Sequence, residues 1–197
     1  MRIISGKARG IRLKAVDGPL LRPTEDRVKE SMFSTLGDLT GAVVVDLFAG
    51  TGALGLEALS RGAARVVFVE KEREHVTCME ENLRAVRKSI GEECGETEIL
   101  CCDVRSAHQQ LAERGFRADV VIADPPYHVS EHCPYCGAEL LMDERFAEWA
   151  VFPVLLCLEH GADAHFAWED TPWQLLKSRT FGIRAVSFAK RREATEV

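Results

Sequence analysis

The chain has 197 residues, 46% of them hydrophobic and 28% charged, with a formal net charge of −6. Length and composition point to one globular domain with an appendage, and they exclude a disordered chain, a collagen-like fibre and a disulfide-stapled miniprotein. No apolar run approaches the roughly 18 residues of a bilayer-spanning helix, and Met1-Arg2-Ile3-Ile4-Ser5-Gly6-Lys7 lacks the apolar stretch of a signal peptide. The seven cysteines, including the adjacent Cys101 and Cys102, are therefore expected as reduced thiols in a cytoplasm.

Charge is unevenly spread. Residues 1–30 hold eight Lys/Arg against four acids, a local +4 that leaves −10 for the remainder. A basic arm on an acidic body suits a polyanion partner, and a solvated basic hairpin is the plainer alternative. Ile3-Ile4 and Ile11-Arg12-Leu13, flanking Gly6 and Gly10, predict that hairpin. Leu21-Arg22-Pro23 breaks the chain, and Thr24 can cap a helix with Glu25 and Asp26 in its first turn, Val28, Met32, Phe33 and Leu36 at helical spacing, and Gly37 at its end.

Beyond Gly41 the texture changes. Val43-Val44-Val45-Asp46-Leu47-Phe48 reads as a strand buried on both faces. A glycine-rich turn and a helix through Leu54, Leu56, Ala58 and Leu59 follow, then a strand at 66–69 and a charged amphipathic helix at 72–88, with Val76, Met79, Leu83 and Val86 inward. A third strand is expected at 99–102, a helix at 104–114 and a fourth strand at 118–123. Residues 143–158 read as a helix broken at Pro153, 164–168 as a fifth strand, and 175–181 with 183–189 as a closing antiparallel pair. Alternation at this spacing means βαβ units on a parallel sheet.

Gly50-Thr51-Gly52-Ala53-Leu54-Gly55 follows a strand and opens a helix, and Glu70 ends the next strand, where a ribose-binding acid belongs. A nicotinamide dinucleotide and S-adenosylmethionine then compete. Asp46 discriminates: a carboxylate repels a pyrophosphate and welcomes an ammonium and a sulfonium. Asp103, ending the third strand, can accept from an adenine amino group. A loop cap is the structural alternative for Asp46, and a helix N-cap for Asp103.

The fourth strand ends in Asp124-Pro125-Pro126-Tyr127. Two prolines stiffen the turn, so that an Asp oxygen and a proline carbonyl form a rigid pair of acceptors for an exocyclic –NH₂, while Tyr127 can stack on a planar base. A proline-rich turn without function is the alternative.

Asp46-Leu47-Phe48-Ala49-Gly50-Thr51-Gly52 with Asp124-Pro125-Pro126-Tyr127 resembles the amino-group methyltransferases of class I. Arg2-Ile3-Ile4-Ser5-Gly6, Arg9-Gly10, Leu21-Arg22-Pro23-Thr24, Asp26-Arg27-Val28-Lys29-Glu30 and Leu56-Glu57-Ala58-Leu59-Ser60-Arg61-Gly62-Ala63 resemble, more narrowly, the bacterial 16S rRNA guanine-N2 methyltransferases of the RsmD type. The resemblance is close over residues 1–127. It implies a Rossmann-like α/β fold: a seven-stranded, mostly parallel sheet with an antiparallel C-terminal strand, carrying a small hairpin and helix extension. Residues 1–40 would be that RNA-binding extension and 41–197 the S-adenosylmethionine-dependent domain. The cofactor would lie on Asp46, Phe48, Ala49, Gly50, Thr51, Gly52, Glu70, Lys71, Asp103, Val104 and Asp124. Asp124, Pro125, Pro126 and Tyr127 would hold the amine and stack the base. Arg2, Lys7, Arg9, Arg12, Arg22 and Arg27 would hold phosphates. The expected substrate is one guanine of 16S rRNA, within a small-subunit particle, and the enzyme a monomer.

The chain departs from the family after Tyr127. Cys133-Pro134-Tyr135-Cys136-Gly137 has the look of a zinc knuckle, but a structural zinc takes four ligands and only His128, His132, Cys157 and His160 could complete them. A metal-free loop is expected. The competing functions are a DNA adenine-N6 or protein glutamine methyltransferase, a nicotinamide oxidoreductase, which lacks a catalytic Tyr–Lys or His pair here, and a non-catalytic RNA-binding module.

Overall fold

A computed structural model describes residues 1–16, 26–126, 136–150 and 153–192. The chain divides into two compact units, residues 1–104 and 105–197.

In the first unit the apolar runs form β1 (Val43–Leu47) and β2 (Arg65–Val69), buried but for their first residues. They pair in parallel, Val43 opposite Arg65 and Leu47 opposite Val69. The connecting α2 (Ala53–Ser60) is buried along its whole length, and α3 (Arg73–Ile90) turns Met79, Leu83 and Val86 inward. The third strand is displaced from expectation: β3 is Glu96–Leu100, not 99–102. Among the described strands it pairs with β2 alone. It is the edge among them, and its Glu96 and Glu98 pair with Arg65 of β2 at 3.7 and 3.1 Å. An edge strand tolerates charges that an apolar-run search passes over, and Cys101 and Cys102 fall beyond its end.

Ahead of this sheet lies the basic arm. The expected hairpin is reduced to a single antiparallel bridge, Arg2 with Arg12, supported by Ile3 N–H donating to Ile11 O at 2.9 Å and Leu13 N–H to Met1 O at 3.1 Å. The helix α1 (Asp26–Leu36) buries Val28, Lys29, Met32 and Phe33, and Gly37, at φ 80°, ends it as expected. Thr24 and Arg22 lie outside the described residues.

The second unit contains most of α4 (Val104–Glu113), then β4 (Val120–Ala123), α5 (Gly137–Met142), α6 (Glu144–Trp149), β5 (Leu155–Gly161), β6 (Trp173–Phe181) and β7 (Arg184–Arg191). Here the expected broken helix at 143–158 is corrected. Its first part is α6, capped by Asp143, whose carboxylate accepts from the Arg145 and Phe146 amides. Its last part begins β5, parallel to β4 and antiparallel to β7. Leu155-Leu156-Cys157-Leu158 is a continuous apolar run with a neighbour on each side, which period alone cannot separate from a buried helix. The expected strand at 164–168 is not formed; a 3-10 turn begins at Trp168. β6 and β7 pair antiparallel about Gly182, as expected. The seven described strands are hydrogen-bonded in the order β3-β2-β1 within the first unit and β4-β5-β7-β6 within the second, with β7 the antiparallel member. Among the described residues no helix is long and apolar enough to cross a membrane.

Candidate active site

At the carboxyl end of β1 the backbone is forced through a tight turn. Phe48 has φ 59°, the one positive value among the described non-glycine residues, and Gly50 and Gly52 follow at 54° and 85°. A bulky residue in the left-handed region is strained, and such strain persists only where the surroundings over-determine it. Ala49 N–H donates to Val69 O at 3.0 Å and Gly52 N–H to Ala49 O at 2.7 Å, which hold the turn on β2.

Two acids grip this turn. Gly50 N–H donates to Glu70 Oε2 at 2.7 Å, and Glu72 N–H to Glu70 Oε1 at 2.9 Å. Each carboxylate oxygen keeps a further lone pair, so Glu70 can still accept from vicinal hydroxyls. Gly55 N–H donates to Asp46 Oδ2 at 2.7 Å. Asp46 is 1% exposed, and its Oδ1 is buried with no hydrogen-bond partner among the described residues. Burial pushes its carboxyl up to about 7, opposed by the Gly55 amide and reinforced by the charge of Glu70. A buried carboxylate with one idle oxygen is suited to a cation and hostile to a pyrophosphate.

The remaining expected cofactor residues surround this pair in sequence. Lys71 follows Glu70, its ammonium 3.9 Å from Glu72. Asp103 immediately precedes α4, which Val104 opens, and Cys101 Sγ lies 3.9 Å from Lys71 O. In the second unit Asp124 is half-buried directly after β4, Pro125 is buried and Pro126 exposed; Tyr127 lies outside the described residues.

The arm divides its cations. Arg2 pairs with Asp26 at 3.0 Å, Lys7 with Glu93 at 2.5 Å and Lys14 with Glu81 at 2.6 Å. Arg9, Arg12 and Arg27 are exposed and enter no ion pair among the described residues. The arm is docked by residues that the sequence reading passed over. Glu57, wholly buried in α2, accepts from the Ile4 and Ser5 amides at 2.8 and 3.0 Å and pairs with Arg61 at 2.9 Å and the buried Lys29 at 3.2 Å. Ser60 Oγ accepts from Ala8 N–H at 2.9 Å and donates to Ser5 O at 2.6 Å. A Cβ at Gly6 would lie 2.0 Å from Ser60 O, so only glycine allows this approach. A glutamate inside an otherwise apolar helix was the available signal, because a buried charge requires partners.

Of the residues weighed for zinc, Cys136 donates its thiol to Glu139 at 2.7 Å. Cys157 is buried in β5 with its thiol pushed well up, by burial first and by Glu159 and Asp124 next. His160 is bonded at both ring nitrogens, to Gly161 O and Ser187 Oγ. Among the described residues no cluster is arranged to hold a metal; Cys133, His128 and His132 lie outside them.

Residues 1–190 match the protein family described as Conserved hypothetical protein 95. The chain belongs to that family. YlbH of Bacillus subtilis (strain 168) is 33% identical over 195 residues, 98% of this chain and 100% of that one. Ribosomal RNA small subunit methyltransferase D of Haemophilus influenzae is 33% identical over 184 residues, 93% of this chain and 90% of that one. Among solved structures, yhhF from Escherichia coli superposes with a TM-score of 0.73 at 29% identity, over 97% of each chain. The resemblance to the RsmD-type methyltransferases therefore holds, and the fold is Rossmann-like, as expected.

Proposed function

We propose that this chain is an rRNA methyltransferase that moves a methyl group from S-adenosylmethionine to the exocyclic N2 amine of a guanine in 16S rRNA. The observation that carries the reading is Asp46: a buried carboxylate with an idle oxygen, directly beneath a glycine turn. The names of the relatives support the rRNA substrate.

S-adenosylmethionine, when bound, supplies an electrophilic methyl on a sulfonium and a neutral leaving group. The residues present fit such a ligand. Asp46 Oδ1 can accept from its ammonium, Glu70 from its ribose hydroxyls, and Asp103 from its adenine amine. Gly50 and Gly52, both at positive φ, let the backbone come close, and a Cβ at Gly52 would meet Met79 Cγ at 2.7 Å. Asp124 and the Pro125 carbonyl are proposed to take the two hydrogens of the target amine, and Tyr127 to stack its base. Positioning of this kind can contribute roughly 7–11 kcal/mol with little acid–base chemistry. The target base must be unpaired or flipped to reach that turn. Residues 1–40 are proposed as the RNA-binding extension, with Arg9, Arg12 and Arg27 its uncommitted cations and Arg2, Lys7 and Arg22 further candidates. The proposed setting is the cytoplasm, with a monomer acting on a small-subunit particle.

The test is nucleoside mass spectrometry of unmodified 16S rRNA, naked or reconstituted into small subunits, after incubation with the purified chain and S-adenosylmethionine. N2-methylguanosine is expected. N6-methyladenosine, or no methylated nucleoside at all, would overturn the substrate assignment. Calorimetry with S-adenosylhomocysteine and with NAD separates the two cofactor classes.

A further inference from the structure

Asn82 lies on the inward side of α3, 2% exposed, and its amide bonds through both its oxygen and its nitrogen. Oδ1 accepts from Lys14 N–H at 2.7 Å. Nδ2 donates to Lys14 O at 3.0 Å and to Thr51 O, also at 3.0 Å. Lys14 belongs to the basic arm, two residues past Arg12. Thr51 stands between the two left-handed glycines of the cofactor turn. One planar group thus holds both segments, which are 31 and 68 residues away in sequence.

The geometry makes this a linkage as well as an anchor. The two hydrogens of an amide nitrogen diverge at a fixed angle in one plane. A shift of Lys14 that turns the amide to follow its carbonyl also swings the second hydrogen relative to Thr51 O. The turn cannot evade that motion, because it rests on the same helix: a Cβ at Gly52 would meet Met79 Cγ at 2.7 Å. The arm is also tied to α3 by the Lys14–Glu81 pair at 2.6 Å and to α2 by Glu57 and Ser60, so a load on Arg9 or Arg12 is carried into the helices that flank the turn.

We infer that Asn82 is a positioning residue through which RNA held by the arm tightens the glycine turn, so that RNA and methyl donor bind with positive coupling. The inference rests on the reading of the turn as a methyl-donor site and of the arm as an RNA contact. Reciprocity requires that each ligand raise the affinity of the other by the same factor.

The test is a thermodynamic cycle. The dissociation constant of S-adenosylhomocysteine is measured calorimetrically with and without saturating unmodified 16S rRNA, using whichever form, transcript or reconstituted subunit, the wild-type chain binds. In the wild type, RNA is expected to tighten the ligand about fivefold or more. In Asn82→Ala that ratio is expected to fall to about one, because the shared amide is gone. An unchanged ratio in the variant, or a ratio of one in the wild type, overturns the inference. Should Asn82→Ala fail to fold, hydrogen exchange on the wild type decides: RNA alone is expected to slow exchange in residues 50–56, and identical exchange with and without RNA overturns the linkage. A wild-type chain that binds neither ligand fails the methyltransferase reading itself, which separates the two failures.

Discussion

Gly55 donates its amide to Asp46 Oδ2 at 2.7 Å, while Asp46 Oδ1, equally buried, meets no donor among the described residues. The bond orients the carboxylate and satisfies half of it. Burial raises its pKa to about 7, above the ordinary carboxylate range. Across the window from the ordinary value to about 7, the folded chain therefore holds a proton that the unfolded chain has lost. Stability from this group is complete below that window and falls as pH rises through it. Asp46→Asn removes the slope. The ligand-free variant is expected to melt above the wild type at pH 8 and to lose that advantage at pH 5, by thermal denaturation. An unchanged pH profile would show that Asp46 is not the titrating group.

The same carboxylate predicts the pH dependence of donor binding. A cationic ligand stabilises ionised Asp46, so binding below pH 7 releases a proton. Affinity for S-adenosylhomocysteine is expected to rise with pH up to about 7 and then level. Calorimetry in buffers of different ionisation enthalpy measures the proton directly. Flat affinity from pH 5.5 to roughly 8 would separate Asp46 from the ligand's ammonium.

Gly55 is closed to any side chain for the same reason that it can donate. A Cβ there would lie 2.3 Å from Phe68 Cε1 and 3.0 Å from Asp46 Oδ2, and Phe68 is wholly buried. Gly55→Ala is expected to cost about 1–3 kcal/mol of stability and to weaken donor binding by disturbing Asp46. Chemical denaturation and calorimetry read the two effects, and a variant matching the wild type in both would refute the packing.

Glu57 and Lys29 form a buried pair at 3.2 Å, each wholly inaccessible. Glu57→Gln leaves the ammonium with the Arg2 carbonyl at 2.5 Å but without its counter-charge, and is expected to cost about 3–5 kcal/mol. Burial already pulls the Lys29 ammonium down, with Glu57 opposing. Without Glu57 it sheds its proton more easily, so the cost is expected to shrink as pH rises. Adding Lys29→Met is expected to recover part of the loss. Denaturation of the single and double variants checks the order, and a double variant no better than the single one would count against it.

Arg9 and Arg12 are exposed and free of ion pairs among the described residues. Reversing both to Glu is expected to weaken RNA binding at least tenfold at low salt and to lower the salt slope by about two. Affinity for S-adenosylhomocysteine without RNA is expected to stay unchanged. RNA affinity equal to that of the wild type would remove the arm from the interface.

Local pattern was enough to place most elements. A short apolar run of valines bounded by a glycine turn favours a buried strand, and the spacing from Gly50 to Glu70 places both at the carboxyl ends of neighbouring strands, where the structure joins them by a hydrogen bond. Two of the misreadings share a cause. Glu96 and Glu98 are tolerated because β3 is an edge strand among the described residues, and residues 155–158 form a strand because β4 and β7 bracket them. Edge or centre is a property of neighbours, which local sequence does not encode.

The chemistry of the candidate site was carried by residue type: a carboxylate before glycines, and an Asp-Pro-Pro turn after a strand. What the tertiary structure alone decided is how those parts are held. Whether Asp46 is solvated or sealed, whether Glu57 meets water or two amides and an ammonium, and whether Asn82 bonds one segment or two all depend on distant chain brought together on folding, 31 to 68 residues away for the amides on Glu57 and for Asn82. Burial and partnership arise only on folding, and they convert ordinary polar residues into a tuned carboxylate, a docking post and a bridge.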